Sequence, residues 1–212
     1  MKVIPAINCE NFHCVSGKIV TAAAFSDWVQ VDVSDGKFSD AVTWNNPKEL
    51  FSFMHEHDLA TKVEVHLMVE DVLGESLRWL AAGAKRVIVQ AGVEFDVDDF
   101  FKSCGEYRAE AMLSFSSKLN MDEYSGLLSK FSEFQILSVP PGFAGQEFDK
   151  NSIDKIKSLR ELFPSAIIEV DGGINPETAR LVKSAGADII ASASYIFNGT
   201  DPASAFKKLN EI

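Results

Sequence analysis

Eight short runs of apolar or β-branched residues alternate with segments of helical length along 212 residues, and this alternation predicts an α/β fold closed into a (β/α)8, or TIM, barrel. Two further observations support closure. Many of the runs are apolar almost throughout, as in the strands of a parallel sheet whose outer face is covered. An open, doubly wound sheet would need fewer units or a clear point of reversal, and none is visible.

The strands are expected at Val3–Ala6, Trp28–Val33, Lys62–His66, Arg86–Ala91, Ala109–Ser114, Glu133–Val139, Ala166–Asp171 and Asp188–Ser192. Between them, apolar residues recur at helical spacing, as in Leu77/Leu80/Ala81, Ile153/Ile156/Leu159/Leu162 and Ala179/Leu181/Val182/Ala185. Ala81-Ala82-Gly83-Ala84 precedes the fourth strand and Ser184-Ala185-Gly186-Ala187 the eighth; each reads as a helix ended by glycine before a tight turn. No linker or low-complexity tract breaks the chain, so residues 1–212 are expected to form a single TIM-barrel domain. A chain of this size buries roughly 70% of the surface exposed when unfolded.

Composition removes several classes of function. Hydrophobic residues make up 46% and charged residues 24%, as in ordinary water-soluble folds. The apolar runs are far shorter than the ~20 residues needed to cross a bilayer. Met1-Lys2-Val3-Ile4-Pro5 does not open a signal peptide, so a cytoplasmic location without membrane association is expected. A net charge of −11 argues against a nucleic-acid partner. It leaves room for one phosphate, which backbone N–H groups can hold without net positive charge. Cys9, Cys14 and Cys104 lack CxxC spacing and read as reduced thiols. His55-Glu56-His57 does not place both imidazoles on one helix face and reads as solvated surface. Glu94–Asp99 reads as the exposed start of a helix.

In a barrel, polar residues at the C-terminal ends of strands face the active site. That rule selects Asp32 after the second run, His66 after the third and Asp171 after the seventh. Each alone could cap a turn. Together, two carboxylates and an imidazole converging on a barrel mouth suit a divalent metal with one position open for substrate. The loops Val139-Pro140-Pro141-Gly142-Phe143-Ala144-Gly145-Gln146, Gly172-Gly173 and Ala193-Ser194 follow strands six to eight. Glycine lets backbone approach an anion closely, and the loops after strands seven and eight are the usual phosphate cradle.

Four segments carry a more specific likeness: Val31-Asp32-Val33-Ser34-Asp35-Gly36, Val65-His66-Leu67-Met68, Pro141-Gly142-Phe143-Ala144-Gly145-Gln146 and Val170-Asp171-Gly172-Gly173-Ile174-Asn175-Pro176-Glu177-Thr178. In order and spacing they resemble the signature segments of the ribulose-phosphate 3-epimerase family, and the likeness runs from about Ile4 to the C-terminus. The resemblance implies a TIM barrel of the ribulose-phosphate-binding type and metal-assisted epimerisation at C3 of a ketopentose phosphate, D-ribulose 5-phosphate to D-xylulose 5-phosphate, through an enediolate. It implies Asp32 and Asp171 as the acid/base pair and as metal ligands with His66. It implies substrate and phosphate contacts at Ala6, His66, Met68, Gly142, Phe143, Ala144, Gly145, Gly172, Gly173, Ala193 and Ser194. The metal would be Zn, Mn, Fe or Mg, and the family's habit implies a homo-oligomer.

Several positions depart from the family pattern. Gln30 stands where a histidine is the fourth metal ligand; a carboxamide oxygen is a harder and weaker donor than imidazole. Ala6 replaces a serine near the substrate, Ser34 a methionine, and Gln90 a histidine. Ala144 and Ala193 replace glycines. Two other readings fit the same residues: a related epimerase for another ketose phosphate, such as a six-carbon one, and a non-catalytic barrel that binds a phosphorylated sugar.

Overall fold

A computed structural model describes residues 1–212. In chain order the elements are β1 Lys2–Ile7, α1 Phe12–Ala23, β2 Trp28–Ser34, α2 Pro47–Glu56, β3 Lys62–Met68, α3 Val72–Ala82, β4 Arg86–Gln90 and α4 Val97–Tyr107. They continue with β5 Glu110–Ser116, a single-turn 3-10 segment Met121–Tyr124 leading into the short α5 Ser125–Leu128, β6 Glu133–Leu137 and α6 Ser152–Leu162. The last are β7 Ile167–Asp171, α7 Pro176–Ala185, β8 Ile189–Ser192, the one-turn α8 Ser194–Phe197 and α9 Pro202–Asn210. All eight strands pair in parallel and in sequence order, and β1 closes the ring against β8 with Lys2 opposite Ile189 and Pro5 opposite Ser192. The fold is the predicted TIM barrel.

Side chains alternate between the two faces of a strand, and here the two faces differ in chemistry. Val29, Val31 and Val33 of β2, Val63, Val65 and Leu67 of β3, and Val87 and Val89 of β4 face outward. They join Ile19, Leu50, Trp79, Phe100, Ile156, Leu159 and Val182 of the surrounding helices in one apolar cluster. The inner face carries Gln30, Glu64, His66, Arg86, Gln90, Ser114, Gln135 and Glu169, all buried. The strands are therefore less uniformly apolar than their composition suggested. Apolar material fills the space between barrel and helices, and a polar network occupies much of the barrel's axis.

Near the N-terminal ends of the strands that network is ionic. The Arg86 guanidinium lies 2.7 Å from Glu64, 2.6 Å from Glu110, 3.1 Å from Glu133 and 3.7 Å from Glu169. Burial opposes its charge, but the surrounding carboxylates, Glu64 first, hold its pKa above the ordinary value. Burial pushes the carboxyl of Glu64 well above the usual range, and Glu169 beside it adds to the effect.

Asn11, Asn46, Asp71, Asp96, Asn175 and Asp201 accept from backbone N–H groups at the starts of their helices. Asp96 does so within the acidic stretch expected to open a helix. Leu77, Leu162 and Leu181 of the predicted apolar stripes are exposed, so the buried stripes are narrower than the spacing implied. The cysteines need a correction. Cys9 and Cys14 form a disulfide, because the turn capped by Asn11 brings their Cα atoms to 5.9 Å. Cys104 is a free thiol, and burial pushes its pKa up to about 12. No helix is long and apolar enough to cross a membrane.

Candidate active site

β2 and β3 are neighbours in register, with Asp32 opposite His66, and β7 brings Asp171 from across the ring. One ligand atom from each of the three lies within 4.8 Å of the others. His66 Nδ1 is 3.6 Å from Asp32 Oδ1 and 3.5 Å from Asp171 Oδ2, long for hydrogen bonds but short for charge. Its other nitrogen packs against the Gln90 amide. Gln30 reaches the same oxygens directly: Nε2 donates to Asp32 Oδ1 at 2.7 Å and to Asp171 Oδ2 at 2.8 Å. Asn8, in the loop after β1, donates to Asp32 Oδ2 at 3.2 Å and to the Gly142 carbonyl at 3.0 Å.

Burial raises the pKa of Asp171, the His66 contact opposes this, and the charge of Asp32 adds to the rise. Burial alone would lower the pKa of His66, but the facing Asp171 and Asp32 carboxylates outweigh it and push it up to about 9. A site that draws a proton between two carboxylates draws a metal cation for the same reason.

The residues present fit a divalent ion in three of four positions. His66 Nδ1 is buried without a hydrogen-bond partner and points between the two carboxylates. Such an orphaned nitrogen is costly unless something else engages it. Gln30 does not fit as it stands, because it presents its N–H2 group to the site while its oxygen accepts from Gln135 at 3.1 Å.

The cavity above these side chains is walled by the glycine loops. Met68, Gly142, Phe143, Ala144 and Gly145 line one part, and Gly172, Gly173, Ala193 and Ser194 another. Gln146 donates to the carbonyls of Pro140 and Phe143, at 2.7 Å each, and folds that loop onto itself. Ser138 Oγ donates to the carbonyls of Asp171 and Gly172, and Thr178 Oγ1 to that of Gly173. These bonds satisfy the carbonyls of the β7 loop with neighbouring hydroxyls and hold the loop in place. Gly172 and Gly173 have φ of +103° and +63°, which L side chains rarely adopt.

Of the residues singled out from sequence, Asp32, His66, Met68, Asp171 and the loop residues just named share this cavity. Ala6 and Gln30 do not line it; Ala6 is fully buried in β1, opposite Gln30. Sequence reasoning passed over Asn8 and Gln135, and gave Gln146 no role of its own within the signature segment. Asn8 was findable, since it lies just past the end of a strand where the barrel rule looks for site residues.

The model of the ribulose-phosphate 3-epimerase family matches residues 2–197. A protein from Chlamydia pneumoniae named ribulose-phosphate 3-epimerase is 34% identical over 183 residues, covering 82% of this chain and 77% of its own. A protein of the same name from Mycobacterium bovis is 26% identical, covering 98% and 90%. Among solved structures, 3-hexulose-6-phosphate synthase from Salmonella typhimurium superposes with a TM-score of 0.76 at 18% identity, covering 100% of this chain and 97% of that one. That likeness concerns the fold alone. The match across almost the whole barrel, together with the aspartates, histidine and glycine loops gathered at its mouth, shows that the chain belongs to the ribulose-phosphate 3-epimerase family of isomerases.

Proposed function

We propose that the chain interconverts D-ribulose 5-phosphate and D-xylulose 5-phosphate by moving the proton at C3. The observation that carries this reading is the convergence of the Asp32 and Asp171 carboxylates on one cavity walled by glycine loops. One carboxylate takes the C3 proton, the C–H electron pair forms the C2–C3 double bond, and the C2 carbonyl oxygen gains negative charge. The other carboxyl group returns a proton to C3 from the opposite face, and the carbonyl reforms. No oxidant or reductant is needed. The raised pKa of Asp171 suits the partner that begins as the acid.

A divalent ion, zinc, manganese, iron or magnesium, held by Asp32, His66 and Asp171 would supply charge stabilisation for the developing oxyanion. The chain's own groups orient the acids: Gln30 bridges them, and Asn8 ties Asp32 to the Gly142 loop. Backbone at Gly145, Gly172, Gly173, Ala193 and Ser194 would hold the phosphate, which reconciles a phosphorylated substrate with a net charge of −11. Met68, Gly142, Phe143 and Ala144 would enclose the sugar.

The test is conversion of D-ribulose 5-phosphate into D-xylulose 5-phosphate, because Asp32 alone could still exchange the C3 proton of the sugar it deprotonates. Asp171→Asn is expected to slow that conversion by about 100-fold to 10,000-fold while leaving the dissociation constant for the sugar phosphate nearly unchanged. Full conversion in that variant removes Asp171 from the acid/base role. A six-carbon ketose phosphate is the competing substrate. A coupled assay of the two sugars with added manganese, iron or zinc separates them.

A further inference from the structure

We infer that Gln135 is a positioning residue: it fixes the Gln30 carboxamide with its N–H2 group toward Asp32 and Asp171, so that the amide clamps the two acids and competes with a cation for the same oxygens. The inference rests on the reading of Asp32, His66 and Asp171 as the metal and acid/base site.

Gln135 lies on β6 and, like Gln30, is fully buried. Its Nε2 donates to Glu169 Oε1 at 2.8 Å and to Gln30 Oε1 at 3.1 Å. Its oxygen accepts from Ser114 Oγ at 2.8 Å, and that hydroxyl accepts from Gln90 Nε2 at 3.0 Å. Reversing the Gln135 amide would set its oxygen against the Glu169 carboxylate, two acceptors with no hydrogen between them. The orientation of Gln135 is therefore settled from behind, and it settles Gln30 in turn.

With its oxygen engaged, Gln30 can offer only N–H groups forward. A primary amide has two, and the two short contacts to Asp32 Oδ1 and Asp171 Oδ2 use both. These are the oxygens that face His66 Nδ1. An ion bound to His66 and to that oxygen pair meets the positive end of the amide dipole. For the Gln30 oxygen to turn inward and coordinate, its N–H2 would have to face the N–H2 of Gln135 in a buried space with no acceptor between them. The relay thus holds the acids together through protein donors and lowers the affinity for a cation below what three ligands would give unopposed.

The experiment measures Mn2+ binding to the full chain, stripped of metal and without sugar, by competition with a chromophoric chelator. Gln135→Leu releases the Gln30 oxygen, and the dissociation constant for Mn2+ is expected to fall about tenfold, the worth of a hydrogen bond no longer lost on reversal. An unchanged or weaker constant overturns the inference, as does failure of both proteins to bind Mn2+. Because Gln135→Leu also strips a donor from Glu169, a second measurement uses the unaltered chain. The Gln30 side-chain N–H2 signals in a 15N-labelled, metal-free sample should exchange slowly with solvent and shift in Asp32→Asn and in Asp171→Asn. Fast exchange with no shift in either variant overturns the clamp while leaving the epimerase reading intact. Loss of C3 exchange activity in the unaltered chain, with slow Gln30 signals retained, overturns the epimerase reading alone.

Discussion

At Gly173 a Cβ would lie 2.6 Å from the backbone nitrogen of Phe148, and the residue holds a φ of +63°. Neither constraint can relax cheaply, because the obstruction is main chain. Gly173→Ala is expected to lower unfolding stability by about 1–3 kcal/mol, read from urea denaturation. Gly145 makes the contrast: at φ +81° a Cβ there meets nothing within 4 Å, so only backbone strain opposes substitution. The Asp-Gly-Gly run could be picked out from sequence because its features are local, an acid at a strand end followed by two glycines of positive φ. Gln135 could not. Its importance lies in contacts with Gln30, Ser114 and Glu169, which sequence separates and the barrel brings together. Cys9 and Cys14 escaped for a related reason, since the turn that joins them is fixed by the Asn11 cap rather than by their spacing.

At the scale of elements, all eight strands and their order were legible, because each is short, bounded by turn residues and separated by a helical interval. The division between their faces was underread. Val29-Gln30-Val31-Asp32-Val33 carries a clean period of two, yet burial on both sides makes such a strand look apolar when only its content is weighed. Helical spacing does not by itself decide burial either: Leu162 lies in an apolar series at that spacing and is 61% exposed. The start of α7 is the most completely built of the helix ends. Asn175 accepts from the N–H groups of Glu177 and Thr178, Thr178 Oγ1 accepts from the N–H of Asn175, and Pro176 presets the first turn. Asn175→Ala is expected to cost about 1 kcal/mol, seen as a lower urea midpoint at unchanged slope.

For the molecule as a whole, the ionic cluster around Arg86 sets how stability depends on pH. Burial comes first in raising the carboxyl pKa values of Glu64, Glu133 and Glu169, and the Arg86 charge restrains that rise. A carboxyl group whose pKa is higher in the folded state binds its proton more tightly there. Its contribution is therefore best at low pH and declines as pH rises through the folded value. Arg86→Met removes the restraint and strands buried carboxylates, an expected loss of about 3–5 kcal/mol near neutral pH. Urea unfolding should show that deficit shrinking toward about pH 4, where carboxyl groups are protonated; a deficit that grows on acidification contradicts this account. Pairing of β1 with β8 has a different consequence, one for synthesis. The sheet is completed only when Ile189–Ser192 is available to meet Lys2–Pro5. Until the ribosome has released that stretch, the nascent chain carries two raw β edges, each a template for a stranger's strand. A ring without margins when finished is, during its making, the most margin-laden form of a sheet, and its hazard ends with the last four-residue strand.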